Sequence, residues 1–360
     1  MLRVATIIDV ARLARVSTST VSHVVNGTRR VRVETRGRVL EAISETGYTP
    51  DGVARALRRS RTQTIGLVMS DTGDPVFAEM VRGVEHEARS AGYTILLGNS
   101  AEDRGRERDS VSALRERRVD GLLLAPVAGS THDLIEGLQA NRTPVVLLDR
   151  LAMPSVDQVG VENIEPMKTL VRHLLDRGHR RIALTAGDLA VPTLRERHRG
   201  YVEALQEAGI PIDAALVSTG SPMAEDARAA IRSMLVRDPG RPTAVVAASM
   251  VLAVATLWAI DDAGLSIPEE VAVVTFDDFP YADLFTPRLT SVAQPAFAIG
   301  REAMRLLLRR IEHADAPHRT VRLRATLAHR ESCGCAQPEE LLEEGHTRVT
   351  NSYRPPRAQP

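Results

Sequence analysis

From residue 64 onwards, short apolar runs rich in β-branched residues alternate with amphipathic stretches of roughly ten to fifteen residues. Parallel sheets with helices on both faces satisfy that alternation, and few other arrangements do. The runs are Ile65-Gly66-Leu67-Val68-Met69, Thr94–Leu97, Gly121–Ala125, Val145–Leu148, Ile182–Thr185, Ala244–Ala248 and Val271–Phe276. A chain of 360 residues exceeds what one core usually organises. The runs form two sets that divide near residue 160, so an α/β core of two doubly wound parallel-sheet lobes is expected. Small ligands of such sheets bind beyond the carboxyl ends of the strands, here between the lobes. Candidates at those ends are Ser70 and Asp71, Asn99 and Ser100, Asp149 and Arg150, and Asp277 and Asp278. Carboxylates beside arginines suit a hydroxyl-rich ligand, because Asp accepts from hydroxyls and Arg donates to them. Each residue alone is equally well read as a helix cap or a solvated turn.

The formal net charge of zero conceals a division. Residues 1–63 carry twelve Arg against five acidic side chains, a net of +7, so the remainder carries −7. A basic module on an acidic body suits one end that approaches a polyanion. No run of about eighteen apolar residues occurs, and Met1–Asp9 lacks the basic-then-apolar build of a signal peptide; a cytoplasmic address is expected, away from membranes. Cys333 and Cys335 are the only cysteines, which suits a reducing compartment. The sequence places no two further ligands at a suitable spacing, so neither a metal site nor a cofactor is expected.

Thr6-Ile7-Ile8-Asp9 reads as a capping box ahead of Val10, Leu13 and Ala14, predicting a helix from about residue 7. Ser17 starts a second helix, with Val21, Val24 and Val25 as its apolar stripe and Asn26-Gly27 as its stop. A third runs from roughly Glu34 to Glu45, with Val39, Leu40 and Ile43 inward and Gly47 ending it. Helices this short are marginal alone, so their purpose lies in the surface they present. Thr18, Ser19, Ser22 and His23 face outward on the second helix, short polar groups that can lie against base edges in a major groove. A capped surface helix with a polar face is the plainer alternative.

The stretch from Thr6 through Asn26-Gly27, together with Gly47-Tyr48-Thr49-Pro50 and Ala54-Arg55-Ala56-Leu57, resembles the headpiece of the lactose-repressor (LacI) family. The resemblance implies recognition by Thr18, Ser19 and His23, with Asn26 aiding backbone contacts. Thr6, Ser17, Thr20, Ser22, Arg29 and Tyr48 complete the expected DNA-facing surface, and Ala54, Leu57 and Arg58 extend it into the linker. Two departures stand out: His23 where members usually carry Arg, and Arg15 where they carry Gly. Histidine offers guanine a donor, or another base an acceptor, according to its protonation. Residues 50–60 alone read as a basic linker, too short to hold a helix in water. The resemblance implies a hinge helix that forms when two subunits meet on DNA, with Leu57 wedged into the minor groove.

Across the core the resemblance extends over residues 5–332 and implies a periplasmic-binding-protein-like architecture. It matches effector positions in Leu148-Asp149-Arg150, Arg197-His198-Arg199-Gly200-Tyr201, Phe276-Asp277-Asp278 and Gln294-Pro295, giving Asp149, Arg197, Asp277 and Gln294. Phe77 in Asp74-Pro75-Val76-Phe77 is placed to stack on a ligand, and Ser70 and Ser249 join the set. Where the family carries an Asn-Asp pair, this chain has Ser249-Met250, which removes an amide and a carboxylate from the expected wall.

The expected organisation is therefore a helix-turn-helix headpiece over residues 1–48, a hinge over 49–63, a two-lobed ligand-binding and dimerisation core over 64–332 and a disordered tail over 333–360. No G-x-G-x-x-G follows a first strand, and no nucleophile elbow is present, so the chain is read as no enzyme. Asp71-Thr72-Gly73 copies an aspartic-protease triplet once, at a strand end where a turn accounts for it. A transport-type solute-binding protein is the alternative, but it would need a signal peptide and no headpiece. The expectation is a homodimeric repressor, nucleoid-associated, that binds a near-palindromic operator in double-stranded DNA and responds to a sugar.

Overall fold

The computed structural model describes residues 5–27, 29–48, 61–129, 131–220, 224–237, 239–278, 284 and 286–335. The chain forms two compact units that divide after Thr64. The expected hinge positions Ala54, Leu57 and Arg58 lie outside the described residues, as does the tail from 336 onwards.

The first unit is three helices: α1 (Ile7–Leu13), α2 (Thr18–Asn26) and α3 (Val33–Thr46). Asp9 accepts from the Thr6 N–H at 3.0 Å and from its hydroxyl at 2.7 Å, which fixes the start of α1. Ser17 accepts from the Thr20 N–H at 3.2 Å and starts α2 one turn later. Gly27 and Gly47 end α2 and α3 in left-handed geometry, φ 63° at both, where a side chain would be strained. Val10, Ala11, Ala14, Val21, Val39 and Ala42 form the small core, with Ile43 and Tyr48 packed against it. Two expected inward residues face out: Leu13 is 44% and Leu40 50% exposed. The core stripe passes through Val10 and Ala14, and through Val39 and Ala42, so a residue next in sequence to it is turned about 100° away.

The second unit contains β1 (Thr64–Met69), α4 (Pro75–Ser90), β2 (Thr94–Asn99), α5 (Arg104–Glu116), β3 (Gly121–Leu124), α6 (Thr131–Ala140), β4 (Val145–Leu148), β5 (Asp157–Val161), α7 (Ile164–Asp176), β6 (Ile182–Gly187), α8 (Pro192–Glu207), β7 (Val217–Thr219), α9 (Ala224–Leu235), β8 (Ala244–Ala247), α10 (Met250–Asp262), β9 (Ala272–Phe276), β10 (Thr290–Ala293), α11 (Ala296–Glu312), β11 (Thr320–Leu323) and β12 (Thr326–Ala328). They build two six-stranded sheets, ordered β11-β5-β4-β3-β1-β2 and β12-β10-β9-β8-β6-β7. The inner pairs are parallel, as the buried runs predict, and β12 closes the second sheet antiparallel to β10.

The lobes do not divide once near residue 160. The chain leaves the first sheet after β5, returns after β10 to lay α11 and β11 on the first lobe, and crosses again to add β12 to the second. Edge strand β11 is polar on alternate positions and β12 is only three residues long, so neither carries an apolar run to announce it in the sequence. The expected tail also starts later than residue 333: Cys333 is fully buried in the core, at the end of a 3₁₀ turn over Glu331–Cys333.

Helices α4 and α11 cross at closest approach through Gly83 and Gly300. A Cβ at Gly300 would overlap the Met80 carbonyl oxygen and stand 3.0 Å from the Val84 nitrogen, and one at Gly83 would overlap the Phe297 carbonyl oxygen. Backbone cannot yield as a flexible side chain can, and overpacking of this kind costs about 1–3 kcal/mol or more. Gly300→Ala is therefore expected to lower stability by about 3 kcal/mol in urea unfolding. A loss within the error of the wild-type midpoint would show that the two helices can separate freely.

Candidate functional site

The carboxyl ends of the strands meet at a cavity of about 430 Å³ between the lobes. Six of the seven residues expected from sequence line it: Phe77, Asp149, Arg197, Ser249, Asp277 and Gln294. Ser70 is not in its wall; it is fully buried at the end of β1, its hydroxyl without a hydrogen-bond partner among the described residues. The sequence reading missed Asp74, Glu102, Arg104, Asp188 and Leu194, all lining residues. Asp74-Pro75 did carry a helix-start signal, and Asp74 caps α4 by accepting from the Val76 N–H at 2.8 Å. That the same carboxyl also faces the cavity depends on packing.

Asp149 and Asp277 follow β4 and β9, corresponding strands of the two sheets, and both hold left-handed backbone, φ 67° and 76°. Such strain in non-glycine residues persists only where the surroundings enforce it, and it concentrates at functional sites. The buried Arg197 guanidinium is the joint of the second-lobe wall. It donates to Asp277 Oδ2 at 3.2 Å, to the Ala248 carbonyl at 2.8 Å and to Asn163 Oδ1 at 3.0 Å, and lies 3.7 Å from the centre of the Phe276 ring. Gln294 donates to the other oxygen of Asp277 at 2.5 Å. On the opposite wall Arg150 grips Glu102 through both terminal nitrogens and donates to the Pro126 carbonyl. Two buried wall atoms have no hydrogen-bond partner among the described residues: Arg150 Nε, a donor that lies 3.9 Å from Asp149 Oδ2, and Gln294 Oε1, an acceptor. Ser249 occupies the wall as the cap of α10, while Met250 turns into the core, so the departure from the family pair leaves a short hydroxyl in the wall.

Six carboxyls, Asp71, Asp74, Glu102, Asp149, Asp188 and Asp277, share this cavity with three guanidiniums. Burial and the neighbouring carboxylates Asp277, Asp149 and Asp71 push Asp74 up to about 7, against the Val76 N–H, which favours the charged form. Burial pushes Asp149 up to about 6, although Arg150 and Arg197 pull it down. The cavity thus carries more acceptors than cations and holds a proton near neutrality.

In the first unit, Ser17, Thr18 and Ser19 are exposed at the start of α2, and Ser22, His23 and Asn26 are half-buried along it. Asn26 donates to the Ser22 carbonyl at 2.8 Å, which braces the end of the helix. His23, Arg29, Arg30 and Arg36 surround one hollow at that end, which gathers three guanidiniums. Thr6 is exposed, Thr20 half-buried, and Tyr48 packs on the helical core.

The signature described as bacterial regulatory proteins, lacI family, matches residues 6–51, and that of a periplasmic binding protein-like domain matches residues 171–333. The HTH-type transcriptional repressor PurR of Erwinia tasmaniensis is 37% identical over 331 residues, 91% of this chain and 96% of that protein. This chain belongs to the LacI family. A solved complex of the transcriptional regulator CelR with cellobiose is 35% identical, covering 91% of this chain and 99% of that one, with a TM-score of 0.68. The lac repressor dimer bound to operator and the anti-inducer ONPF is 25% identical, covering 92% and 99%, with a TM-score of 0.80. The LacI-family chain is accordingly a DNA-binding transcriptional repressor with a small-molecule-binding core. Among the described residues no helix is long and apolar enough to cross a membrane.

The raised Asp74 pKa makes stability depend on pH. An ordinary aspartate titrates at 3.8, so between about pH 4 and about 7 the folded chain binds more protons than the unfolded one. The stability so gained is fully present below the lower value and is lost as pH rises through the upper one. Asp74→Asn, which keeps the helix cap, is expected to reduce the fall in Tm between pH 6 and pH 8. An unchanged fall in thermal scans of both proteins would contradict it.

Proposed function

We propose that this LacI-family repressor acts as a homodimer in the cytoplasm, without catalytic activity, and that the molecule controlling it is an uncharged, hydroxyl-rich one, a sugar of carbohydrate uptake or catabolism. The observation that carries the reading is the excess of carboxyl acceptors in the cavity. Two of its three guanidiniums already have acid partners, Arg150 with Glu102 and Arg197 with Asp277, while Arg104 Nε donates to the Ala128 carbonyl. An anionic ligand would meet net repulsion, whereas sugar hydroxyls donate to Asp149 and Asp277 and accept from Arg197. Phe77, Val127, Leu194 and Leu252 supply apolar wall for the faces of a sugar ring. The solved relative with cellobiose favours the same ligand class.

Calorimetric titration of the purified chain with neutral mono- and disaccharides, their phosphorylated counterparts and free nucleobases tests this. A neutral sugar is expected to bind, its phosphate to fail, and Asp277→Asn to weaken binding about tenfold or more, the scale of a lost hydrogen bond to a charged group. Binding of a nucleobase or a sugar phosphate in preference to every neutral sugar would overturn the reading.

For the DNA side, the proposal assigns direct base contact to Thr18, Ser19 and His23, backbone contact to Thr6, Ser17, Thr20, Ser22, Asn26, Arg29 and Tyr48, and the kink to the linker with Ala54, Leu57 and Arg58. A two-fold symmetric pair of headpieces matches a near-palindromic operator. Leu57→Ala is expected to weaken operator binding several-fold more than binding to random duplex at one fixed salt concentration, because a wedge acts only on kinked DNA. Equal losses on both duplexes would contradict it.

A further inference from the structure

Four side chains from two distant parts of the sequence converge behind the second sheet: His173 from the last turn of α7, His329 just after β12, and Cys333 and Cys335 around the final 3₁₀ turn. Their ligand atoms all lie within 4.8 Å of one another. The Nε2 atoms of His173 and His329 face each other at 3.2 Å, Cys333 Sγ is 3.5 Å from His329 Nε2, and Cys335 Sγ is 3.6 Å from His173 Nε2. A tetrahedral zinc ion, with Zn–N about 2.0 Å and Zn–S about 2.3 Å, separates its ligand atoms by about 3.3 Å between nitrogens and about 3.6 Å between nitrogen and sulfur. Three of the six observed edges match those values, and the remaining three are no longer than 4.8 Å.

From this geometry we infer that the core carries a structural zinc site formed by His173, His329, Cys333 and Cys335.

The sequence hid the site because His173 lies 156 residues before His329, so His329, Cys333 and Cys335 alone share a local spacing and offer only three ligands. The fold supplies what spacing does not. Gly334, at φ 81°, takes the left-handed turn between the two cysteines, and Arg177 donates to its carbonyl oxygen. The rings of His173 and His329 meet edge to face at 4.7 Å, which aims both Nε2 atoms at one point. Cys333 is fully buried while the other three are half-buried, so an ion has both a dry side and a way in. Charge balances: Zn²⁺ displaces one proton from each thiol, two protons leave to solvent, and two thiolates with two neutral imidazoles give an uncharged centre. Sulfur and imidazole in a tetrahedral set select zinc over magnesium, calcium or manganese. The site lies far from the ligand cavity along β10: Cys333 Sγ accepts from Thr290 at the start of that strand, and Gln294 follows its end. Its role is to pin the C-terminal segment of the core to α7.

The test uses the full chain, produced without a polyhistidine tag and kept reduced, dialysed against a weak chelator and assayed by elemental analysis. About one zinc per chain is expected. After removal of zinc, titration with cobalt(II) is expected to give the intense visible bands of a tetrahedral ion and near-ultraviolet thiolate charge transfer, saturating at one equivalent. Cys335→Ser and His329→Gln alter half-buried positions and leave the buried thiol in place. Each is expected to weaken cobalt affinity at least about tenfold, the scale known even for loss of an outer-shell partner. Wild-type chain that holds no zinc and gives only the pale spectrum of octahedral cobalt overturns the inference. So does a His329→Gln chain that binds cobalt as tightly as wild type.

Discussion

A buried guanidinium without acceptors costs several kcal/mol, and the second lobe is arranged around preventing that at Arg197. Its four partners come from three places: Asn163 before α7, Ala248 after β8, and Phe276 and Asp277 at the end of β9. None of these groups can move without leaving the charge short of a partner. Asp277, so held, presents its other oxygen to Gln294 across the cavity wall. The cleft is therefore shaped before any ligand arrives, and binding need not spend free energy ordering it.

The same chain keeps a second electrostatic regime apart from the first. Its N-terminal module gathers exposed Arg around a hollow at the end of α2 whose described lining holds no acidic residue, while the core gathers carboxyls around its cavity. A net +7 over residues 1–63 followed by a net −7 discourages the acidic remainder from lying on a polyanion and favours the basic end for that contact.

What could be read in the sequence followed from local rules. Caps at Thr6 and Ser17, left-handed stops at Gly27 and Gly47, and strand ends bearing Asp149 and Asp277 are all decided within a few residues. What escaped was decided at a distance. Leu13 and Leu40 were assigned inward because they are apolar, yet the core of the headpiece has room for only one narrow stripe per helix. The triple crossing between lobes was hidden because β11 and β12 lack apolar runs, and Cys333 looked like tail because nothing in its neighbourhood shows that His173 waits for it.

The three crossings have a mechanical consequence. Val161 pairs with Leu323 and Thr326 pairs with Ala293, so the threads leaving β5, β11 and β10 run side by side as a narrow ribbon. The Glu162 N–H still donates to the Leu323 carbonyl, which carries the ladder into the junction. A single thread would let the lobes swivel about any axis; a hydrogen-bonded ribbon folds across its flat face and resists shear and twist. Bending across that flat face is thus the relative motion of the lobes that the three threads oppose least.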